Sequence, residues 1–196
     1  MSRLVCDELL SRLDHFSLNP AVVLDIDGQR EGLPEALRAV FPRARIISTG
    51  QPQKPVGWFA SVFERILRRS SRIEYIDATY AKWSLDDQSV DLVIANHWAP
   101  GIEVLDSSLR EIHRVLVDGG LFLCTSPSAT AVRGQADIHD LGSALMRAGF
   151  VEPVLDIDRF GSHEGEVIHV AAFSGGGRRR TSDDEVIVPF PRSSRR

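Results

Sequence analysis

Two carboxylates, Asp25 and Asp27, close the apolar run Val22-Val-Leu24, and Gly28 and Gly32 follow them just ahead of Leu33-Pro34-Glu-Ala-Leu37. A β-branched run, an acid, a short polar loop and a helix start make the strand-loop-helix unit that holds nucleotide-type cofactors at the carboxyl end of a first strand. Such a loop needs glycine, because its backbone turns sharply against the ligand and leaves no room for a Cβ. Here Asp27, Gln29 and Glu31 stand among the two glycines. The chemistry therefore turns on whether this loop still admits a ligand.

Further polar residues sit at the ends of other apolar runs. Ser48 and Thr49 close Arg45-Ile-Ile47, Asp77 and Ala78 follow Tyr75-Ile76, and Asn96 follows the run ending at Ala95. None of the six histidines pairs with acids or cysteines at ligand spacing, so no metal site is expected, His163 and His169 included. His139, inside Asp137-Ile-His-Asp140, reads as local capping at a helix start. Ser126, in Cys124-Thr-Ser-Pro127, lacks the G-x-S-x-G elbow of a hydrolase, and no catalytic residue is assigned. Arg65, Arg68, Arg69 and Arg72 form either a solvated helix end or a basic patch that attracts an acidic partner.

The elements that must position these residues alternate along the chain. Residues 7–16 read as a helix with Leu9, Leu10 and Leu13 on one face. Strands are expected at 21–26, 44–48, 73–76, 90–95 and 121–125, with two more near 153–157 and 166–173. Helices are expected at 33–41, with Pro34 in its first turn, and after the Pro-rich link 51–56, where Trp58, Phe59, Val62, Phe63, Ile66 and Leu67 have helical spacing. Another helix at 105–117 is read as stopped by Asp118-Gly-Gly120, and one opening at 137–140 ends at Ala148-Gly149. Regular alternation of strands and helices predicts an α/β, doubly wound, mostly parallel sheet.

Composition sets the outer bounds. The 196 residues suffice for one domain with a full core, and 43% hydrophobic and 26% charged residues are those of a globular protein. A net charge of −4 argues against a general nucleic-acid binder. Cys6 and Cys124 follow no redox or metal spacing and read as reduced core thiols. No apolar run reaches membrane-spanning length and the N-terminus carries early acids, so no membrane association and a cytoplasmic location are expected. Residues 1–173 read as one domain, opened by a helical segment within 1–20. Residues 174–196, with Gly175-Gly-Gly-Arg-Arg-Arg180 and the apolar Val186-Ile-Val-Pro-Phe-Pro191, read as a flexible tail.

Taken together, the chain resembles a class I S-adenosylmethionine-dependent methyltransferase, and within that class the malonyl-[acyl-carrier protein] O-methyltransferases of biotin synthesis. Leu109-Arg-Glu-Ile-His-Arg-Val-Leu-Val-Asp-Gly-Gly-Leu-Phe-Leu123 and Asp137-Ile-His-Asp-Leu-Gly-Ser-Ala-Leu-Met-Arg-Ala-Gly-Phe150 carry the resemblance most specifically. It implies a seven-stranded sheet in the order 3-2-1-4-5-7-6 with the last strand antiparallel. It also implies S-adenosylmethionine as cofactor, methyl transfer to a carboxylate on a carrier-protein-bound acyl group, and acyl-carrier protein as a partner.

Mapped onto the family pattern, Asp25 keeps the acid of the first motif, while Asp27, Gln29 and Glu31 fall where it has glycines. Glu31 would face the cofactor's carboxylate, a repulsion of up to about 4 kcal/mol at 4 Å and an effective dielectric of 20. Gly28 and Gly32, each one position out of step, offer a partial rescue of the turn. The acid that takes the ribose hydroxyls falls on Gly50, leaving Ser48 and Thr49 to offer weaker bonds. Asp77 and Ala78 match the pair that meets the adenine, although an acid there can also simply end a strand. Asn96 matches a residue facing the methionine end. The aromatic position falls on Gly101, unless a short deletion brings His97-Trp98 into place. The family's N-terminal arm and the lid after the sixth strand have no counterpart. Weak or lost cofactor binding is expected, the alternative to an enzyme being a non-catalytic binding or regulatory module.

Overall fold

Seven strands form one mixed sheet in a computed structural model that describes residues 3–27, 32–49, 73–76, 82–128, 136–160 and 165–175. The strands are β1 (Val22–Ile26), β2 (Arg45–Thr49), β3 (Glu74–Ile76), β4 (Val90–Ala95), β5 (Leu116–Pro127), β6 (Phe150–Phe160) and β7 (Gly165–Ser174). Their order is β3-β2-β1-β4-β5-β7-β6, as the resemblance implies. The pairs from β3 to β5 are parallel, and β7 runs antiparallel to both β5 and β6. Phe160 pairs with Gly165, so only residues 161–164 separate the last two strands and no lid-sized insertion exists there.

Central strands of a parallel sheet are covered on both faces, which is why β1 and β4 are almost continuously apolar. On one face Val23, Leu92, Ile94, Leu121, Leu123 and Ala171 meet Cys6, Leu9 and Leu13 of the N-terminal segment and Leu33 and Leu37 of the next helix. That segment is α1 (Arg3–Ser11) with a 3-10 turn (Arg12–His15), and the next helix is α2 (Leu33–Val40). On the other face Val93, Phe122, Cys124 and Ile168 pack on Leu105, Leu109 and Ile112 of α3 (Ile102–Val115) and Leu141 and Leu145 of α4 (Ile138–Ala148). Both cysteines are free and buried, and burial pushes the Cys124 thiol up. No helix among the described residues is long and apolar enough to cross a membrane.

Three local readings change. The first helix starts earlier than residue 7 and tightens into the 3-10 turn at Arg12. The third helix spans Ile102–Val115, and its chain passes straight into an extended Leu116 (ψ 135°), so Asp118-Gly-Gly120 does not cap it. Those glycines lie inside β5, where pairing jumps from Val90–Leu116 to Leu92–Leu121. Gly119 takes φ 71°, and a Cβ on Gly120 would lie 2.9 Å from the Val117 carbonyl oxygen. At α4 the cap is Asp137, whose side chain accepts from the His139 and Asp140 N–H groups. His139 therefore contributes its backbone to the cap rather than its ring. The expected helix within 57–72, its four arginines, His163 and the tail from 176 onward lie outside the described residues.

Candidate functional site

Strands β1 and β4 are neighbours, yet the chain leaves them toward opposite sides of the sheet. This is the point where an open α/β sheet forms a crevice at the carboxyl ends of its strands. Each of the two strands leads into a non-glycine residue with left-handed backbone, Asp27 at φ 56° and His97 at φ 53°. That conformation costs a β-carbon-bearing residue on the order of 1 kcal/mol, and Asp and His are among the types that bear it best. Gly32, at φ 71°, takes the left-handed position that opens α2. Asp27, at a position that the family pattern gives to glycine, thus has a left-handed backbone, and a glycine stands at the helix start. Gly28, Gln29 and Glu31 lie outside the described residues.

Asp25 is fully buried beneath this turn. The Ser48 hydroxyl donates to its Oδ2 at 2.6 Å, and the Asp27 N–H donates to Thr49 Oγ1 at 3.1 Å. Both hydroxyls at the end of β2 are therefore engaged in bracing β1. Tyr75, opposite Ser48 on β3, has its phenol pKa raised by burial and by the carboxylates of Glu35 and Asp25. Gly50, Asp77 and Ala78 lie outside the described residues.

The exit of β4 is held from β5. Asn96 is buried, and its Oδ1 accepts from the Thr125 hydroxyl at 2.7 Å. Thr125 Oγ1 accepts the His97 N–H at 2.8 Å, and its carbonyl accepts the Trp98 N–H at 2.7 Å. Trp98 is 4% exposed and packs edge-on against Phe122, ring centroids 5.4 Å apart. It belongs to the core. Gly101 opens α3 beneath the Glu103 carboxylate, which would clash with a Cβ there.

Asp25, Asn96 and Thr125 thus lie on the face covered by α1 and α2, and alternation along β7 puts His169, paired with Thr125, on that face too. His169 is fully buried, 3.5 Å from Asp158 and directly paired in register with Asp156. Arg12 of the 3-10 turn donates to Asp158 at 2.7 Å, with Glu8 at 3.4 Å and Asp156 at 4.0 Å. Burial, with the Arg12 charge beside it, lowers the His169 pKa to about 3, Asp156 opposing. The cluster fastens the N-terminal segment to β6 and β7. Among the described residues no group of His, Cys, Asp and Glu is arranged to hold a metal ion.

Of the eight residues singled out as cofactor contacts, Asp25, Asp27, Gly32, Thr49 and Asn96 are described, and the structure brings them to the carboxyl ends of β1, β2 and β4. Thr125 and Tyr75 were not singled out. Thr125 carried only the signal of a polar residue at the end of an apolar strand, and its partners are distant in sequence.

Comparison with known proteins agrees with this geometry. A methyltransferase-domain family profile matches residues 59–124. The malonyl-[acyl-carrier protein] O-methyltransferase of Nitrosospira multiformis is 28% identical over 87% of this chain and 64% of its own length. That of Laribacter hongkongensis is 31% identical over 81% of this chain and 60% of its own length. The chain thus spans less than two thirds of these relatives. In fold it is similar to Haemonchus contortus phosphoethanolamine N-methyltransferase 2, with a TM-score of 0.65 at 13% identity over 87% of this chain and 53% of that one. The chain resembles the class I S-adenosylmethionine-dependent methyltransferases, and in sequence the malonyl-[acyl-carrier protein] O-methyltransferase branch.

Proposed function

We propose that this chain is a methyltransferase-fold domain whose crevice takes S-adenosylmethionine weakly, with a carrier-protein-bound acyl carboxylate as its methyl-acceptor class. The observation that carries the reading is the end of β2: Ser48 donates to Asp25, Thr49 accepts the Asp27 amide, and the residue after them is Gly50. At these positions a ribose would meet neutral hydroxyls instead of a bidentate carboxylate. Losing a charge-assisted pair weakens binding by roughly 1–3 kcal/mol. The cofactor's fit is therefore partial. Asp25 and the Asp27 turn support a backbone cradle, and Asp77, Ala78 and Asn96 are assigned to the adenine and methionine ends by resemblance.

The cofactor, when bound, supplies an activated methyl group, and the chain's part is to hold donor and acceptor in line. The acceptor class rests on the names of the relatives, malonyl-[acyl-carrier protein] O-methyltransferases. A second reading, a non-catalytic binding or regulatory module, is favoured by one observation: Trp98 is buried in the core against Phe122. Incubation of the full chain with methyl-labelled S-adenosylmethionine and malonyl-acyl-carrier protein separates the two. Slow formation of base-labile methyl ester, saturating only at high cofactor concentration, supports the enzyme. No ester at any cofactor concentration, with the cofactor still bound, supports the module.

A further inference from the structure

Three consecutive residues at the crevice end of β4 depend on one residue of the neighbouring strand. Thr125 accepts the N–H of His97 at its hydroxyl oxygen and the N–H of Trp98 at its carbonyl, and its hydroxyl donates to Asn96 Oδ1. These bonds span the turn in which His97 holds φ 53°, and Thr125 itself is fully buried. A strained left-handed turn at a non-glycine persists only where its surroundings over-determine it. Thr125 supplies that determination.

We infer that Thr125 is a positioning residue for the cofactor crevice: it acts through Asn96, His97 and Trp98 and sets where Asn96 and the β4 turn stand. This rests on the reading of the crevice as an S-adenosylmethionine site. Thr125 is fully buried, paired with buried His169 on β7, and its hydroxyl joins the turn to β5. Valine has nearly the same shape and keeps the carbonyl, so Thr125→Val removes only the two hydroxyl bonds. Serine keeps the hydroxyl and loses a methyl group.

The test compares the unaltered chain, Thr125→Val and Thr125→Ser by two measurements. One is amide hydrogen exchange at His97 and Trp98, with Leu92 and Phe122 as internal references in the same sheet. The other is calorimetric titration with S-adenosylhomocysteine. In Thr125→Val the His97 amide should exchange about tenfold faster or more while Leu92 and Phe122 hold, and affinity should fall by about tenfold, both restored in Thr125→Ser. Unchanged His97 exchange in the valine variant overturns the inference. Faster exchange with unchanged affinity overturns it as well, because the turn would then be irrelevant to the ligand. A general rise in exchange, Leu92 and Phe122 included, assigns Thr125 a purely structural part and also overturns it. Absence of binding by the unaltered chain contradicts the proposed function instead, and the exchange measurement then decides by itself whether Thr125 holds the turn.

Discussion

At Asp27 the backbone occupies a conformation that glycine adopts freely, so this side chain has opposite consequences for ligand binding and for stability. Glycine normally costs about 0.4–1 kcal/mol through unfolded-state entropy. At φ 56° that cost is offset by relief of a left-handed residue, worth about 1–2 kcal/mol. Asp27→Gly should therefore leave the urea midpoint unchanged or slightly raised. Gly32→Ala should lower it by an amount equivalent to about 1 kcal/mol, although the site has open space for a Cβ, because φ 71° alone makes the substitution strained. Equal destabilisation by both changes would mean that Asp27 does not hold the turn. Trp98 is the contrasting residue. Beside Phe122 in the core, its replacement by alanine should cost about 3–5 kcal/mol of stability, measured by urea denaturation. A loss below about 1 kcal/mol would place the ring outside the core. Neither role was legible from residue type. Asp27 reads as an obstruction because its φ is invisible in sequence, and Trp98 lies within a pattern that also suits an aromatic wall.

Among the elements, the N-terminal segment and the β6–β7 pair are joined by buried charge rather than by apolar packing alone. Arg12 stands among Glu8, Asp156 and Asp158, and buried His169 lies beside them with His97 nearby. Arg12 already claims the Asp158 carboxylate at 2.7 Å, so that group does little to favour a charged imidazole. The His169 pKa in the folded chain, about 3, lies below the ordinary 6.5, so the unfolded chain takes up the proton first. The neutral imidazole's contribution is fully present above about pH 6.5 and is lost as pH falls toward 3, at up to about 1.4 kcal/mol per pH unit. Stability measured by urea denaturation should follow that slope, and His169→Gln should flatten it between pH 6 and 4 on the order of one proton. An unchanged slope in the variant would show that His169 is charged in the folded chain. The boundary of α3 and β5 was the element least legible in sequence. Gly119 and Gly120 carry the signature of a helix stop, but they serve a close backbone approach inside an irregular strand. Glycine pairs mark both, and only the pairing of β5 with β4 distinguishes them.

For the whole molecule, a doubly wound sheet could be read in advance from the alternation of β-branched runs with helices, and its strand order from the family resemblance carried by the two helix-turn segments at 109–123 and 137–150. Sequence also located Asp25 and Asn96 at the crevice. What it could not show is how the polar groups there are spent on one another: Ser48 on Asp25, Thr49 on the Asp27 amide, Thr125 on the β4 turn. These are tertiary hydrogen bonds, and they decide which groups remain to meet a ligand. The proposed function is a methyltransferase-fold domain with a weakened cofactor crevice. The decisive measurement is calorimetric titration of S-adenosylhomocysteine into the unaltered chain and into the chain carrying Asp27→Gly, Gln29→Gly, Glu31→Gly and Gly50→Asp. A dissociation constant in the high micromolar range or weaker is expected for the unaltered chain. The four changes should tighten it by about tenfold or more, since each 1.4 kcal/mol recovered is about tenfold, and adding Asp77→Ala should abolish most of that gain. Binding at low micromolar concentration or tighter by the unaltered chain, with Asp77→Ala having no effect, would contradict it.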